Sequence, residues 1–392
     1  MGRNRIAAEL PLAVVGCDFR CASTAWRNHL LLDGEQCDTL AGRLALSADV
    51  AGFVILQTCN RVEWILSGPR PTWSAELARA QLSERWRTAG LPEPHPTPYM
   101  YTGEAAAEHL IRVALGLESF VRGEREIAGQ LNKAFDAAQK AGLASPDLNA
   151  LQTVLGRVVK RVQRMTRFGA RARGVHGLAL SMVSQHFAAQ GLQRPKIAVV
   201  GMGEIGRKAA ALAEQLAGVS VTRVNRTVPL RQAQHWRQLA DLPAIVGEVD
   251  ALIVATGARE PIVTDVELAR AASGLLVVDI GTPNQVAACD VSIDRRGLDD
   301  LLVGSAGSDE DIDAVLALAE DAVAEYRMAL RKREVAGLLR ATQDRYDEFA
   351  YQDLPALLRD KGQEPLTPEI RSAVRAYTRQ IVAEIERAVG GD

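Results

Sequence analysis

The chain has no run of roughly 20 apolar residues, the length a helix needs to span a bilayer, which excludes a helical membrane protein. Cysteine is scarce and odd in number, at positions 17, 21, 37, 59 and 289, so a closed disulfide framework is not expected. Cys17 and Cys21 stand four apart, but no second Cys or His pair at zinc spacing accompanies them, and no metal site is expected. Neither charge dominates: 46 Lys and Arg face 48 Asp and Glu, for a formal net charge of −2. That balance excludes nucleic-acid binding by the whole surface and requires any polyanion to be met locally. Repeats and low-complexity tails are also missing. Met1-Gly2-Arg3-Asn4 leads into no long apolar segment of the signal-peptide kind, so the expectation is a cytoplasmic protein with reduced thiols.

What is present is length and apolar content. With 392 residues, 47% of them hydrophobic, the chain can build two or three domains with cores of their own. Residues 11–16 and 51–58 read as short buried strands around a helix at about 38–48, an α/β opening. The proline-rich stretch 91–98 reads as a loop. From Glu104 to about Gly142 apolar residues recur at helical spacing, interrupted at Gly123-Glu124-Arg125-Glu126. A helix over 148–168 places Arg157, Lys160, Arg161, Arg164 and Arg167 three and four apart, a cationic face suited to phosphates. Beyond Ser305 only helices are expected. Ile312, Val315, Leu316, Ala319, Val323, Tyr326 and Leu330 trace an apolar stripe that needs a partner. Further helices over about 334–358 and 367–388 would supply part of it, and a second copy of the chain the rest.

Gly201-Met202-Gly203-Glu204-Ile205-Gly206 follows the apolar strand 197–200 and opens a helix, the context that makes a glycine pattern a dinucleotide fingerprint. Gly201 permits the turn, Gly203 lets backbone approach a pyrophosphate, and Gly206 allows close packing of helix on strand. The next strand ends in Asn225-Arg226-Thr227, where an NAD site would place an acid for the ribose hydroxyls. Arg226 offers a fork for a 2′-phosphate instead, so NADPH is the expected cofactor; the bland alternative is a solvated surface arginine.

Cys59 follows the apolar run 53–56 and precedes Asn60-Arg61, a thiol expected at a strand end beside a cation that favours thiolate. On these grounds alone it reads as a packed thiol more often than as a nucleophile. His109, expected at a helix start, and His176, before Gly177, have bland structural readings as well.

Together these segments resemble the glutamyl-tRNA reductase family over nearly the whole chain. Thr58-Cys59-Asn60-Arg61-Val62-Glu63 is similar to its nucleophile motif, and residues 109–119 with 123–130 to its substrate-domain signature. The resemblance implies a two-step reaction. Cys59 attacks glutamate esterified to tRNA, and the thioester is reduced by NADPH to glutamate-1-semialdehyde, opening 5-aminolevulinate and porphyrin synthesis. It also implies that His109 assists proton transfer or orientation near the thiol. Thr58, Asn60, Arg61, Ser119, Glu124, Arg125, Glu126 and Gln130 surround the glutamyl group, with Arg61 pairing a carboxylate bidentately.

Several positions depart from the family pattern, among them Arg125 where a proline is usual. Phe19 and Cys21 stand where an imidazole and a hydroxyl are usual, and Glu126 replaces a glutamine. Glu126 is expected to repel an anionic substrate unless Arg125 or Arg61 neutralises it. The segment 279–283 is looser than the pattern. The expected architecture is α/β: an N-terminal α/β catalytic domain over 1–165, a Rossmann-type NADP-binding domain with its entry linker over 166–305, and an all-helical dimerisation domain over 306–392. Expected partners are glutamyl-tRNA, a second copy in a homodimer, and the aminomutase that receives the semialdehyde. Two other readings stay open: another NADP oxidoreductase of the shikimate-dehydrogenase type, and a non-catalytic relative that binds tRNA.

Overall fold

A computed structural model describes residues 9–45, 48–170, 172–229, 235–288, 290–302, 310–353 and 367–390, with the single positions 356 and 360. Contacts divide the chain into two compact units, Met1–Ala322 and Val323–Asp392, and the first holds both sheets.

The first sheet is built from β1 (Leu12–Asp18), β2 (Gly52–Gln57), β3 (Arg61–Ser67) and β4 (Tyr99–Thr102). It has the order β2-β3-β1-β4 and is antiparallel throughout. This corrects the sequence reading, which foresaw β1 and β2 but neither β3 nor β4. β3 escaped it because Arg61 and Glu63 interrupt the apolar pattern, yet strand alternation accounts for them. Val62, Trp64 and Leu66 point to one face, where they pack with Ala75, Ala78, Leu82 and Trp86 of the helix Pro71–Thr88.

Before that helix come α1 (Thr24–Asn28) and α2 (Gly34–Ala45); it is α3. The opposite sheet face, carrying Arg61 and Glu63, meets α4 (Gly103–Ala114), α5 (Glu126–Lys140) and α6 (Pro146–Met165). The Ser67 and Ser145 hydroxyls bond at 2.6 Å across this contact, and Ser145 also caps α6 by accepting from Leu148 N–H. His109 lies in the middle of α4, not at a helix start.

After α7 (Gly174–Ala189) comes the second sheet, with β5 (Lys196–Val200), β6 (Ser220–Asn225), β7 (Trp236–Gln238), β8 (Ala251–Val254), β9 (Leu276–Asp279) and β10 (Asp294–Arg296). All pairings are parallel and the order is β10-β9-β8-β5-β6-β7. Renumbered from its first strand this is 3-2-1-4-5-6, the Rossmann order, with the switch point between β5 and β8. The helix after β5, α8 (Glu204–Ala213), packs with α7 on one face, and short α9 (Leu242–Ile245) and α10 (Asp265–Leu268) cover the other. The α7–α8 cluster continues into the first sheet's territory, taking in Phe120 and Val121 with Phe19 and Cys59 packed against it.

The C-terminal part is helical as expected, but α11 (Ile312–Glu348) is one continuous helix where a boundary near 334 was anticipated. No proline interrupts it, and its sequence from 331 to 345 is rich in good helix formers. The expected helix over 334–358 runs partly outside the described residues. Val315, Ala319, Val323 and Tyr326 of the stripe are buried within the single chain, so they need no partner copy. α12 (Pro368–Gly390) closes the chain.

Candidate active site

Cys59 follows the C-terminal end of β2, as expected, at the tip of the antiparallel β2–β3 hairpin. Thr58 shapes the tip: its N–H donates to Arg61 O at 2.9 Å, and its hydroxyl accepts from the N–H groups of Asn60 and Arg61, both at 3.1 Å. The guanidinium beside the thiol is not the expected one. Arg27 from α1 donates to Cys59 O at 3.1 Å. Burial pushes the thiol up to about 12, Glu124 adds to this, and Arg27 pulls the other way without prevailing. The expected thiolate-favouring effect of Arg61 is therefore corrected: Cys59 rests as a thiol.

Arg61 points away along the sheet face into a buried charge network. One Nη donates to Glu63 at 2.8 Å and the other to Glu118 O, while Nε has no partner. Glu63 also accepts from Tyr99 OH and lies 2.8 Å from His109 Nε2, whose ring stacks on Tyr101. Burial works against this carboxylate, yet Arg61, His109 and Tyr99 hold it well below the usual range. The fork of Arg61 is thus already engaged, which corrects the bidentate substrate pairing.

A cavity of about 350 Å³ opens at the hairpin tip. Thr58, Cys59, Asn60 and Arg61 line it from the hairpin, and Ser119, Glu124, Glu126, Gln130 and Lys133 from the α4–α5 region. From the second sheet come Gly203, Glu204 and Ile205, then Thr256 and Gly257 after β8, and Ile280 to Thr282 after β9. His109 and Arg125 are not among the lining residues, and Arg125 is exposed. Glu124 is almost fully buried here, and burial, reinforced by Glu126, raises its carboxyl to about 7.

Glu126 is neutralised from an unexpected side. Lys208 of α8 reaches it at 2.7 Å, and His176 Nδ1 lies 3.6 Å away. Lys208 and Lys133 both pair with Glu204, at 3.1 and 2.9 Å. Four charged side chains therefore tie the head of α5 to the head of α8. Cys21, in the departing segment, accepts from Asp18 N–H at 3.3 Å. A hydrogen bond from Cys17 lowers the Cys21 thiol, and the same bond, with burial, raises that of Cys17. Among the described residues no group of His, Cys, Asp and Glu forms a metal site.

A second cavity, about 320 Å³, shares Gly203, Thr256 and Gly257 with the first and is lined by Gly201, Met202, Asn225 and Arg226. Its glycine turn fits a dinucleotide. Gly201 has φ +90°, and a Cβ on Gly206 would stand 1.8 Å from Gly201 O, whereas one on Gly203 would meet nothing within 4 Å, leaving its backbone open to a ligand. Gly206 and Thr227 line neither cavity. Sequence reading missed Arg27, Lys133, Lys208 and the strand-end residues Thr256 and Thr282. The last two had a signal, since each follows an apolar strand of a doubly wound sheet.

A glycine turn at the switch point of such a sheet, sharing a cavity with a thiol, defines an oxidoreductase that works with a nicotinamide nucleotide. Residues 15–166 match the family described as glutamyl-tRNAGlu reductase, N-terminal domain, and residues 182–301 that described as shikimate/quinate 5-dehydrogenase. A glutamyl-tRNA reductase of Salinibacter ruber is 32% identical over 72% of this chain and 59% of that protein. One of Synechococcus sp. strain RCC307 is 30% identical over 72% of this chain and 68% of its own length. The solved glutamyl-tRNA reductase of Methanopyrus kandleri shares the fold, with a TM-score of 0.52 at 23% identity over 97% of this chain and 95% of that one. The chain belongs to the glutamyl-tRNA reductase family. The shikimate-dehydrogenase likeness is confined to its nucleotide-binding half.

Proposed function

We propose that this chain reduces the glutamyl group of glutamyl-tRNA to glutamate-1-semialdehyde, with NADPH as reductant and Cys59 as covalent carrier, the first step towards 5-aminolevulinate and porphyrins. The observation that carries this reading is that Cys59 and Gly203 line one cavity. At about 12 the Cys59 thiol is neutral near pH 7 and needs a base. Glu124, at about 7 on the same cavity, accepts its proton. The thiolate attacks the ester carbonyl carbon; as the bond to the tRNA 3′ oxygen breaks, Glu124 returns the proton to that oxygen and the tRNA leaves. Cys59 then holds the glutamyl group as a thioester. The Gly201–Gly206 turn, with Asn225 and Arg226, would hold a nicotinamide dinucleotide, which would supply the hydride that reduces the thioester. Cleavage of the C–S bond releases the aldehyde and returns Cys59 as thiolate, which takes up a proton.

Lys133 supplies positive charge for the substrate carboxylate, and Glu126 faces its ammonium group. His109 acts through Glu63 and Arg61 as a positioning residue. No acid stands at the end of β6, and Arg226 on the second cavity favours NADPH over NADH. The domain division at 165/166 and 305/306 remains part of this reading.

The helical C-terminal part pairs with a second copy. Support comes from Met328, Leu338, Phe349, Ile370, Tyr377 and Ile381, large apolar side chains exposed on the single chain. The reading includes a cytoplasmic setting and transfer of the semialdehyde to the aminomutase that consumes it. Among the described residues no helix is long and apolar enough to cross a membrane.

The test uses glutamyl-tRNA labelled in the glutamate. Label should be trapped on the protein without NADPH, released as semialdehyde with it, and absent from Cys59→Ser. Trapped label that survives Cys59→Ser would overturn the mechanism.

A further inference from the structure

Between Asp147 and Glu204 the sequence holds nine Lys and Arg and no Asp or Glu, whereas the rest of the chain has 37 cations against 48 acids. Within this segment α6 exposes Arg157, Lys160 and Arg164 along one face, and Arg167 follows just beyond its end. A chain of net charge −2 thus has one long stretch without acids, and most of α6 lies within it.

The direction of that face is set by how α6 runs. Gln152 donates to Asn132 and Asp136 of α5 at 3.0 and 2.8 Å, and Gln139 donates to Asn149 at 2.8 Å, so the two helices are antiparallel. Each turn of α6 beyond Gln152 therefore steps back toward the head of α5, where Lys133, Gln130 and Glu126 line the cavity. At the exit of α6 the backbone of Gly169 touches that of Gly123: a Cβ on Gly123 would stand 2.7 Å from Gly169 Cα. Gly123 immediately precedes Glu124. The half of α6 that carries these cations thus runs toward the end of α5 that lines the cavity holding Cys59, with about 10 Å of helix rise between Arg157 and Arg164. Beyond the end of α6, Arg167 lies 3.7 Å from Glu310 and its backbone N–H donates to Asp311.

We propose that Arg157, Lys160 and Arg164 form the track for the phosphates of the tRNA acceptor arm next to the esterified 3′ end. This rests on the reading of Cys59 as the group that receives the ester. A helix face of cations running toward the cavity-lining head of α5 fits a polyanion whose terminus enters that cavity. A membrane-surface helix would need an apolar stripe beside the cations, and here that stripe, Val154, Leu155, Val158 and Val162, is buried.

The full chain and its Arg157→Ala/Lys160→Ala/Arg164→Ala variant are titrated with a fluorescent acceptor-stem minihelix ending in CCA and carrying no amino acid, between 50 and 200 mM KCl. The variant should bind about tenfold or more weakly at low salt, with a salt slope reduced by about 2 to 3. Whole tRNA should show the same loss. Unchanged affinity and slope would overturn the proposal, as would a loss seen with whole tRNA but not with the minihelix. Because the minihelix carries no glutamyl group, this outcome is independent of the Cys59 trapping experiment. Failure of label to reach Cys59 in the unmodified chain would count against the catalytic reading alone.

Discussion

Lys208, on the helix that opens the nucleotide site, stands 2.7 Å from Glu126, at the head of a helix that lines the substrate cavity. The acid that departs from the family pattern is thus matched by a cation from the other half of the same unit. Glu126 is one of the charges that raise Glu124, and Lys208 opposes it. Glu126→Gln should therefore move the acidic limb of kcat/KM below its position near pH 7, and Lys208→Met should move it up. Identical pH profiles in both variants would remove Glu124 from the proton pathway.

Glu124 also ties function to stability. Its carboxyl lies at about 7 in the folded chain against 4.5 for an ordinary glutamate, so the folded state holds the proton more tightly. Stability should fall as pH rises through this window and level off above it, by about 3 kcal/mol at roughly 1.4 kcal/mol per pH unit. Glu124→Gln should abolish that slope while lowering kcat by roughly 10²- to 10⁴-fold. Urea midpoints at pH 4 and pH 8 provide the check, and parallel curves for the two proteins would contradict it.

Thiol reactivity should follow the surroundings of each cysteine. Cys21 is partly exposed and lowered, whereas Cys59 is raised to about 12. Iodoacetamide at pH 7.5 should modify Cys21 first, and labelling of Cys59 should climb about tenfold per pH unit up to pH 10. Peptide mapping distinguishes the two. Fast labelling of Cys59 at neutral pH would mean that no base is required.

His109→Phe removes a hydrogen-bond partner from buried Glu63. Breaking such a network typically costs about 3 to 5 kcal/mol, so the melting temperature and kcat should both drop. As a positioning residue His109 should leave the acidic limb of the pH profile where it was; a shifted limb would return it to proton transfer.

Arg226→Ala should raise KM for NADPH about tenfold, the order of one exposed charge-assisted contact, and leave KM for NADH nearly unchanged. Equal effects on both cofactors would contradict a 2′-phosphate role.

The nucleotide half was legible because its signals are local: an apolar strand, a glycine turn and a helix follow one another within eleven residues, 196–206. The motif Thr58 to Arg61 was legible as a motif but not as a shape, since its tight turn depends on pairing with a strand that begins at Arg61 itself. The companions of the charged residues were least legible. Arg27 meets Cys59 across 32 positions, and Lys208 meets Glu126 across 82. Contacts of that separation are set by packing, which periodicity does not encode. His109 illustrates the same limit, because its partner Glu63 lies on a strand the pattern concealed.

Cys59 and Phe19 pack against the apolar cluster that also contains Ile197 and Val199 of β5 and Val183 and Phe187 of α7. The hairpin that carries the nucleophile and the sheet that carries the glycine turn therefore stand on a common foundation. A local opening that wets this cluster loosens both at once, and one that spares it leaves both shut. If Cys59 carries a thioester, the side chains that shelter it are the same ones that hold the glycine turn in register, Val183 and Phe187 of α7 among them.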